Sequence, residues 1–136
     1  MPDRTRRSRS VPRLRRQGHK NSFDEMIEER HGYSPELWGR SHWRFLHYAS
    51  LVYFPKDKFH WEVFLTRIFP KMIPCKTCQI EYCRVIKANR QNLDYHLQSR
   101  KNLVKFLISL HNSVNQRVKK NYKPFTCAKF VAVYNK

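Results

Sequence analysis

The sequence predicts an all-α protein, a four-helix bundle with a short fifth helix packed across one end, and three observations predict it. Apolar residues recur at helical spacing in four separate segments. No segment sustains the period-two alternation of a half-buried strand. Ser34-Pro35, Ser99 and Thr126 stand where helices should begin, as residues suited to an N-cap or a first turn. The composition agrees, since 136 residues that are 40% hydrophobic and 14% aromatic, with only 3 Gly, suit one helical core. No apolar run approaches ~18 residues, so no transmembrane segment or secretory h-region is expected.

Residues 1–33 read as a basic, largely disordered arm and residues 34–136 as the folded domain. Of the formal charge of +18, a net +7 lies in residues 1–20, where eight Lys and Arg face only Asp3, and the other +11 makes the folded part basic too. Such a field attracts nucleic acid or acidic surfaces without sequence preference. The arm reads as a solubility tail, a nuclear or nucleic-acid-binding signal, or a mitochondrial presequence, although Pro2 and Pro12 interrupt any amphipathic helix there.

A short helix is expected around Asp24 to Arg30. The first long helix should run from Pro35 to about Tyr53 and stop before Pro55, with Phe45, Leu46, Ala49, Val52 and Tyr53 as its apolar stripe. A shorter helix carries Trp61, Phe64, Leu65 and Ile68 and closes at Pro70. A third starts at Pro74 or Cys75, buries Tyr82, Val85 and Ile86, and ends near Asn89 to Asn92. After a polar linker, Ser99 opens the longest helix, with Leu103, Leu107, Leu110, Val114 and Val118 on one side. The last helix begins at Thr126 and sets Phe130 and Tyr134 one turn apart.

Cys75 and Cys78 are separated by two residues at a helix start, where the positive end of the helix dipole favours thiolate. The same spacing serves a zinc half-site, so the motif alone leaves redox and metal chemistry both open. Two further groups of residues are not explained by packing. Arg40, Trp43 and His47 share one face of the first long helix, and His111, Asn112, Asn115 and Lys119 lie beside the apolar stripe of the longest one. Together they suggest a large flat ligand that wants aromatic stacking, hydrogen bonds and cations for phosphate, as a flavin dinucleotide does.

Trp38-Gly39-Arg40-Ser41-His42-Trp43 with Leu46-His47, then Tyr53-Phe54-Pro55, Phe69-Pro70 and Pro74-Cys75-Lys76-Thr77-Cys78, then Leu110-His111-Asn112-Ser113-Val114-Asn115 with Lys119, resemble the Erv/ALR flavin-linked sulfhydryl oxidases in the right order. The resemblance spans about Leu37 to Tyr134 and implies FAD bound at the mouth of the bundle, usually in a homodimer. It places Gly39, Arg40, Trp43, His47, Tyr53, His111, Asn112, Val114, Asn115, Lys119, Lys120 and Phe130 around FAD. Cys75 would meet substrate and Cys78 the flavin, with electrons passing to O2 to give hydrogen peroxide. The implied partners are dithiol protein substrates or a thioredoxin-like carrier. Cys127 matches the second cysteine of a family disulfide whose first position is Ile108 here, and Cys83 has no counterpart; a Cys83–Cys127 pair is an open alternative to two reduced, partly buried thiols. The arm contains no cysteine and so no shuttle disulfide. Minimal forms of this kind resemble those of large DNA viruses, which implies host cytoplasm or virion, with nucleus and mitochondrial intermembrane space as alternatives.

The competing reading is a basic nucleic-acid-binding protein in which the cysteines hold structural zinc. If the arm is only an address or tether, a chain lacking residues 1–20 should oxidise a small dithiol at an unchanged rate, measured as oxygen uptake; a large loss would put the arm in the catalytic machinery.

Overall fold

Ser34 starts a helix because its hydroxyl accepts the Glu36 N–H at 3.3 Å, while Pro35 fills the first turn, where no intrahelical donor is needed. The computed structural model describes residues 22–118 and 123–135. Seven α-helices run along them: α1 (Phe23–Glu28), α2 (Pro35–Ser50), α3 (Lys58–Val63), α4 (Lys76–Ala88), α5 (Leu93–His96), α6 (Arg100–Val118) and α7 (Cys127–Tyr134). Among the described residues there is no strand, only an isolated antiparallel bridge between Gly32 and Cys75. No helix among them is long and apolar enough to cross a membrane. Residues 1–21, 119–122 and 136 lie outside the described residues, and with them most of the expected basic arm.

The other helix starts follow the same local logic. Ser22 and Glu25 form a reciprocal capping box at α1. The Ser99 hydroxyl accepts the Asn102 N–H at 3.0 Å, and Thr126 accepts the Lys129 N–H at 3.1 Å. α6 packs against both α2 and α4, and α7 lies against α6. The segment from α3 to Met72 supplies the fourth side of the bundle, against α4. Leu103, Phe106, Leu107, Leu110 and Val114 of α6 are buried, and the core continues through Leu46, Leu65, Phe69, Tyr82, Val85 and Ile86.

Three expectations change. On α2 the core face is Leu46, His47 and Ser50, with Tyr53 just beyond, whereas Phe45 and Val52 are 57% and 71% exposed. The helix is apolar on two sides, and the position of α6 decides which side goes inward. The second helix does not simply stop at Pro70: it widens into a π-turn at Phe64–Ile68 and tightens into a 3-10 turn at Phe69–Met72. Phe69 N–H reaches Phe64 O, skipping Leu65 O, and Pro70 has no N–H to offer that carbonyl instead. The buried Tyr82 hydroxyl donates to Leu65 O at 2.7 Å and completes it. Third, the polar linker holds a 3-10 turn at Arg90–Asn92 followed by α5, because Leu93 and Leu97 are buried against the core.

The turn after α2 is tied down from α6: Arg100 Nε donates to Tyr53 O at 2.8 Å, and the guanidinium lies 4.6 Å from the Phe54 ring centroid. Tyr82→Phe tests the repair of the π-turn. Leaving Leu65 O unpaired should cost about 1–2 kcal/mol, read as a lower urea midpoint at unchanged m-value.

Candidate active site

α4 begins with a sulfur cap. Cys75 is extended, and its Sγ accepts the Cys78 N–H at 3.3 Å in the place a serine hydroxyl would take. Both cysteines are unpaired by disulfide and sit in the core, 1% and 6% exposed. Burial, with the Cys75 sulfur beside it, pushes the Cys78 thiol up to about 12. The depressed thiolate expected from the helix dipole is therefore not what the surroundings of Cys78 produce: desolvation outweighs the favourable N-terminus. Cys83 and Cys127 are unpaired and exposed, not partly buried.

The second group converges on His47, which is 0% exposed. Its Nε2 lies 3.0 Å from His111 Nδ1, so one ring donates to the other. Its own Nδ1 is buried with no hydrogen-bond partner among the described residues. Trp43 stacks on His111 with centroids 4.2 Å apart and planes 10° from parallel. Phe125, Phe130 and Tyr134 close the remaining sides, at 5.6, 5.4 and 5.3 Å from the His47 centroid. Phe125 is held by α6: Asn112 Nδ2 donates to Phe125 O at 2.8 Å, and Phe125 N–H donates to Asn112 Oδ1 at 2.7 Å. Burial lowers the His47 pKa to about 4, so the ring is neutral at pH 7.

The structure thus brings together Trp43, His47, His111 and Phe130, with Asn112 engaged in shaping the cluster's wall. Val114 and Asn115 are buried on the following part of α6, and Gly39 and Arg40 lie nearer the start of α2, Arg40 exposed. Tyr53 is not in the cluster: it is buried beyond the C-terminal end of α2, where its hydroxyl donates to Leu97 O. Lys119 and Lys120 lie outside the described residues. Phe125 and Tyr134 are the additions sequence reasoning did not place at the site. The helical spacing of Phe130 and Tyr134 was a usable signal, whereas Phe125 lies in a loop that no periodicity reports. The dithiol and the histidine cluster share one core, since Cys75, Cys78, Leu110 and Val114 belong to it and Trp43 packs on it.

A helical bundle with a buried dithiol at a helix start and a histidine–aromatic cluster on the same core defines a helical dithiol protein. Residues 40–135 match the Erv1/Alr family, and the chain belongs to that family. It is 38% identical over 87 residues to a protein of Acanthamoeba polyphaga mimivirus named a probable FAD-linked sulfhydryl oxidase, a match covering 60% of this chain and 59% of that one. It is 32% identical over 89 residues to a protein of Invertebrate iridescent virus 3 whose name provisionally assigns the same activity, covering 63% and 59%. The match therefore spans about three-fifths of the length of these relatives. No solved structure matches.

His47 makes stability depend on pH. The unfolded chain takes up the proton near the ordinary value of 6.5 and the folded chain only near 4, so the unfolded state binds more protons in between. The contribution, about 3 kcal/mol by linkage, is complete above pH 6.5 and is lost as pH falls towards 4. Burial also lowers His31 and His96, which act in the same direction. Urea unfolding of the parent and of His47→Gln between pH 7.5 and 4.5 should show a shallower pH dependence in the variant.

Proposed function

We propose that this chain is an FAD-dependent thiol oxidase that forms disulfide bonds in protein substrates, taking electrons through Cys75 and Cys78. The observation that carries the reading is the joint presence, on one core, of the buried CxxC and a histidine–aromatic cluster with an orphaned nitrogen. His47 Nδ1 is a buried polar atom for which the described residues supply no partner, and such an atom calls for one. Trp43 and His111 offer flat faces for stacking a ring system. A Cβ built on Gly39 would meet only Pro35 Cβ at 3.9 Å, so packing within the chain does not demand glycine there and a close-lying ligand group accounts for it better. These features fit a flavin dinucleotide. Trp43, His47, His111, Val114 and Asn115 would hold its rings, Asn112 and Phe130 would shape the wall, and Arg40, Lys119 and Lys120 would meet the diphosphate.

FAD, when bound, supplies a two-electron acceptor that is reoxidised by O2 with formation of hydrogen peroxide. The chain's own part is thiol–disulfide exchange. A substrate thiolate attacks Cys75 Sγ of the Cys75–Cys78 disulfide, the bond between the two cysteines breaks, and Cys78 leaves with the electron pair. A second substrate thiolate then releases Cys75, so the substrate gains a disulfide and the CxxC becomes the dithiol. The buried His47 is neutral at pH 7 and adds no positive charge at the centre of the cluster. Dithiol proteins or a thioredoxin-like carrier are the proposed electron donors. A second copy is the proposed partner of the exposed apolar side of α2, at Phe45 and Tyr48, and of Val52 just past its end.

The zinc-binding alternative finds no support. Cys75 and Cys78 are enclosed in the core while Cys83 and Cys127 are exposed, and among the described residues no group of three or more His, Cys, Asp or Glu is placed to hold a metal ion. The purified protein should be yellow, contain FAD stoichiometrically and consume oxygen with a small dithiol. Cys78→Ser should keep the colour and lose more than about 100-fold in turnover. A colourless, zinc-containing preparation would sink the proposal.

A further inference from the structure

Cys75 is 1% exposed, yet the proposed chemistry needs a substrate sulfur to reach it. Part of its cover is a strap of main chain. Tyr33 N–H donates to Pro74 O at 3.0 Å and Lys76 N–H donates to His31 O at 3.1 Å, so Gly32 faces Cys75 in an antiparallel bridge. Because these bonds are made by the neighbours of the facing residues, the pair is of the non-hydrogen-bonded kind, in which the two Cα atoms come within ~4.5 Å and side chains are closest. That separation lies inside the ~4.4–6.8 Å range that a disulfide can span. Gly32 therefore stands, without a side chain, where a cysteine would be within reach of Cys75.

Both sides of the bridge are held from elsewhere. Trp38 Nε1 donates to Tyr33 O at 3.0 Å, and the Tyr33 hydroxyl donates to Met26 O at 3.1 Å. On the other side, His42 Nε2 lies 2.9 Å from Met72 O, and Gln79 Nε2 donates to Pro70 O at 2.6 Å. The backbone leading into Cys75 is thus presented as a fixed edge, with one carbonyl and one N–H directed at whatever lies alongside.

We propose that residues 74–76 are the docking edge for an extended, cysteine-bearing segment of the protein substrate, which pairs in the register now held by residues 31–33 and sets its cysteine opposite Cys75. The inference rests on the thiol oxidase reading of Cys75 and adds to it how a substrate is gripped. The residue after the substrate cysteine donates its N–H to Pro74 O, and the carbonyl before it accepts from Lys76 N–H, so recognition is by main chain and tolerates varied sequences. The strap must leave first. At the bridge itself two main-chain hydrogen bonds hold it, and the substrate remakes both; the Trp38 bond to Tyr33 O and the Tyr33 bond to Met26 O are the contacts its departure strains. Lacking sulfur, residues 31–33 shield Cys75 between substrates without being oxidised.

Once docked, the substrate thiolate forms an S–S bond to Cys75 as the Cys75–Cys78 bond breaks and Cys78 departs as thiolate. The second substrate thiolate closes the substrate disulfide and frees Cys75. Two electrons pass from substrate to the CxxC, and the thiol protons go to solvent or to the cysteines released.

The test uses the 136-residue chain with Cys83→Ser and Cys127→Ser, leaving only the CxxC thiols. Gly32→Cys, His31→Cys and Tyr33→Cys are each oxidised, alkylated and mapped by mass spectrometry. A bridge to Cys75 is expected from position 32 and not from 31 or 33, whose side chains point to the other face. No bridge at 32, or equal bridging from all three, overturns the register. A second measurement keeps the strap as it is. In a Cys78→Ser variant, Cys75 attacks a short peptide whose central cysteine is activated as a pyridyl disulfide, and release of the thione is followed by absorbance. N-methylation of the residue after that cysteine should slow the reaction about three- to tenfold, the effect of one lost main-chain hydrogen bond, whereas N-methylation of the cysteine itself, whose N–H points away, should not. Equal rates for the two methylated peptides overturn the proposal. Neither readout involves a flavin or oxygen, so the docking edge and the oxidase reading can fail separately.

Discussion

Leu103, Leu107, Leu110 and Val114 form one buried edge of α6, and α2 and α4 both pack on this helix. Protein interiors are close-packed, so a helix that serves two neighbours at once fixes them relative to each other. α2 carries Trp43 and His47, and α4 begins at the cysteine pair. The relation between dithiol and histidine cluster is therefore set by core packing and not by any loop. The surface pair between Arg117 of α6 and Glu81 of α4, at 3.5 Å, adds little by comparison.

The same helix also organises what is polar. One turn past Leu107, His111 meets His47, and Asn112 uses both ends of its amide on the backbone of Phe125. That pairing brings an irregular segment up to the cluster just before Thr126 caps α7, which in turn delivers Phe130 and Tyr134. A loop residue is thus positioned as firmly as a helical one, because an amide satisfies its N–H and C=O together.

What could be read in the sequence follows from how local each cause is. A cap is a contact across two or three residues, so Ser34, Ser99 and Thr126 announced α2, α6 and α7 directly. The α6 stripe was legible because that helix has one dominant apolar side. α2 was not, because Phe45, Tyr48 and Val52 compete with Leu46, His47 and Tyr53, and only the partner helix selects between them. The π-turn arises from a missing N–H at Pro70 and a hydroxyl supplied by Tyr82 from another helix, which no single window contains. The strap at residues 31–33 has no alternation, and its pairing partner lies far along the chain. At the site, Trp43, His47 and His111 were visible through helical spacing, while the engagement of Asn112 with Phe125 depends on tertiary structure.

The electrostatics of the cysteine pair carry the last step. A thiolate at a helix start gains from the dipole, yet Cys78 sits in the core beside a second sulfur, and burial is the larger effect, raising its pKa to about 12. In thiol–disulfide exchange the sulfur with the lower pKa leaves more readily, so a buried Cys78 without a charge-accepting neighbour would be a poor leaving group. Under the proposed function, Trp43, His47 and His111 would hold a flavin that supplies an electron acceptor when bound. The two sulfurs then differ by environment and not by sequence: both lie in the core, but Cys75 is itself part of the main-chain edge paired with Gly32 and Cys78 is inside the first turn of α4.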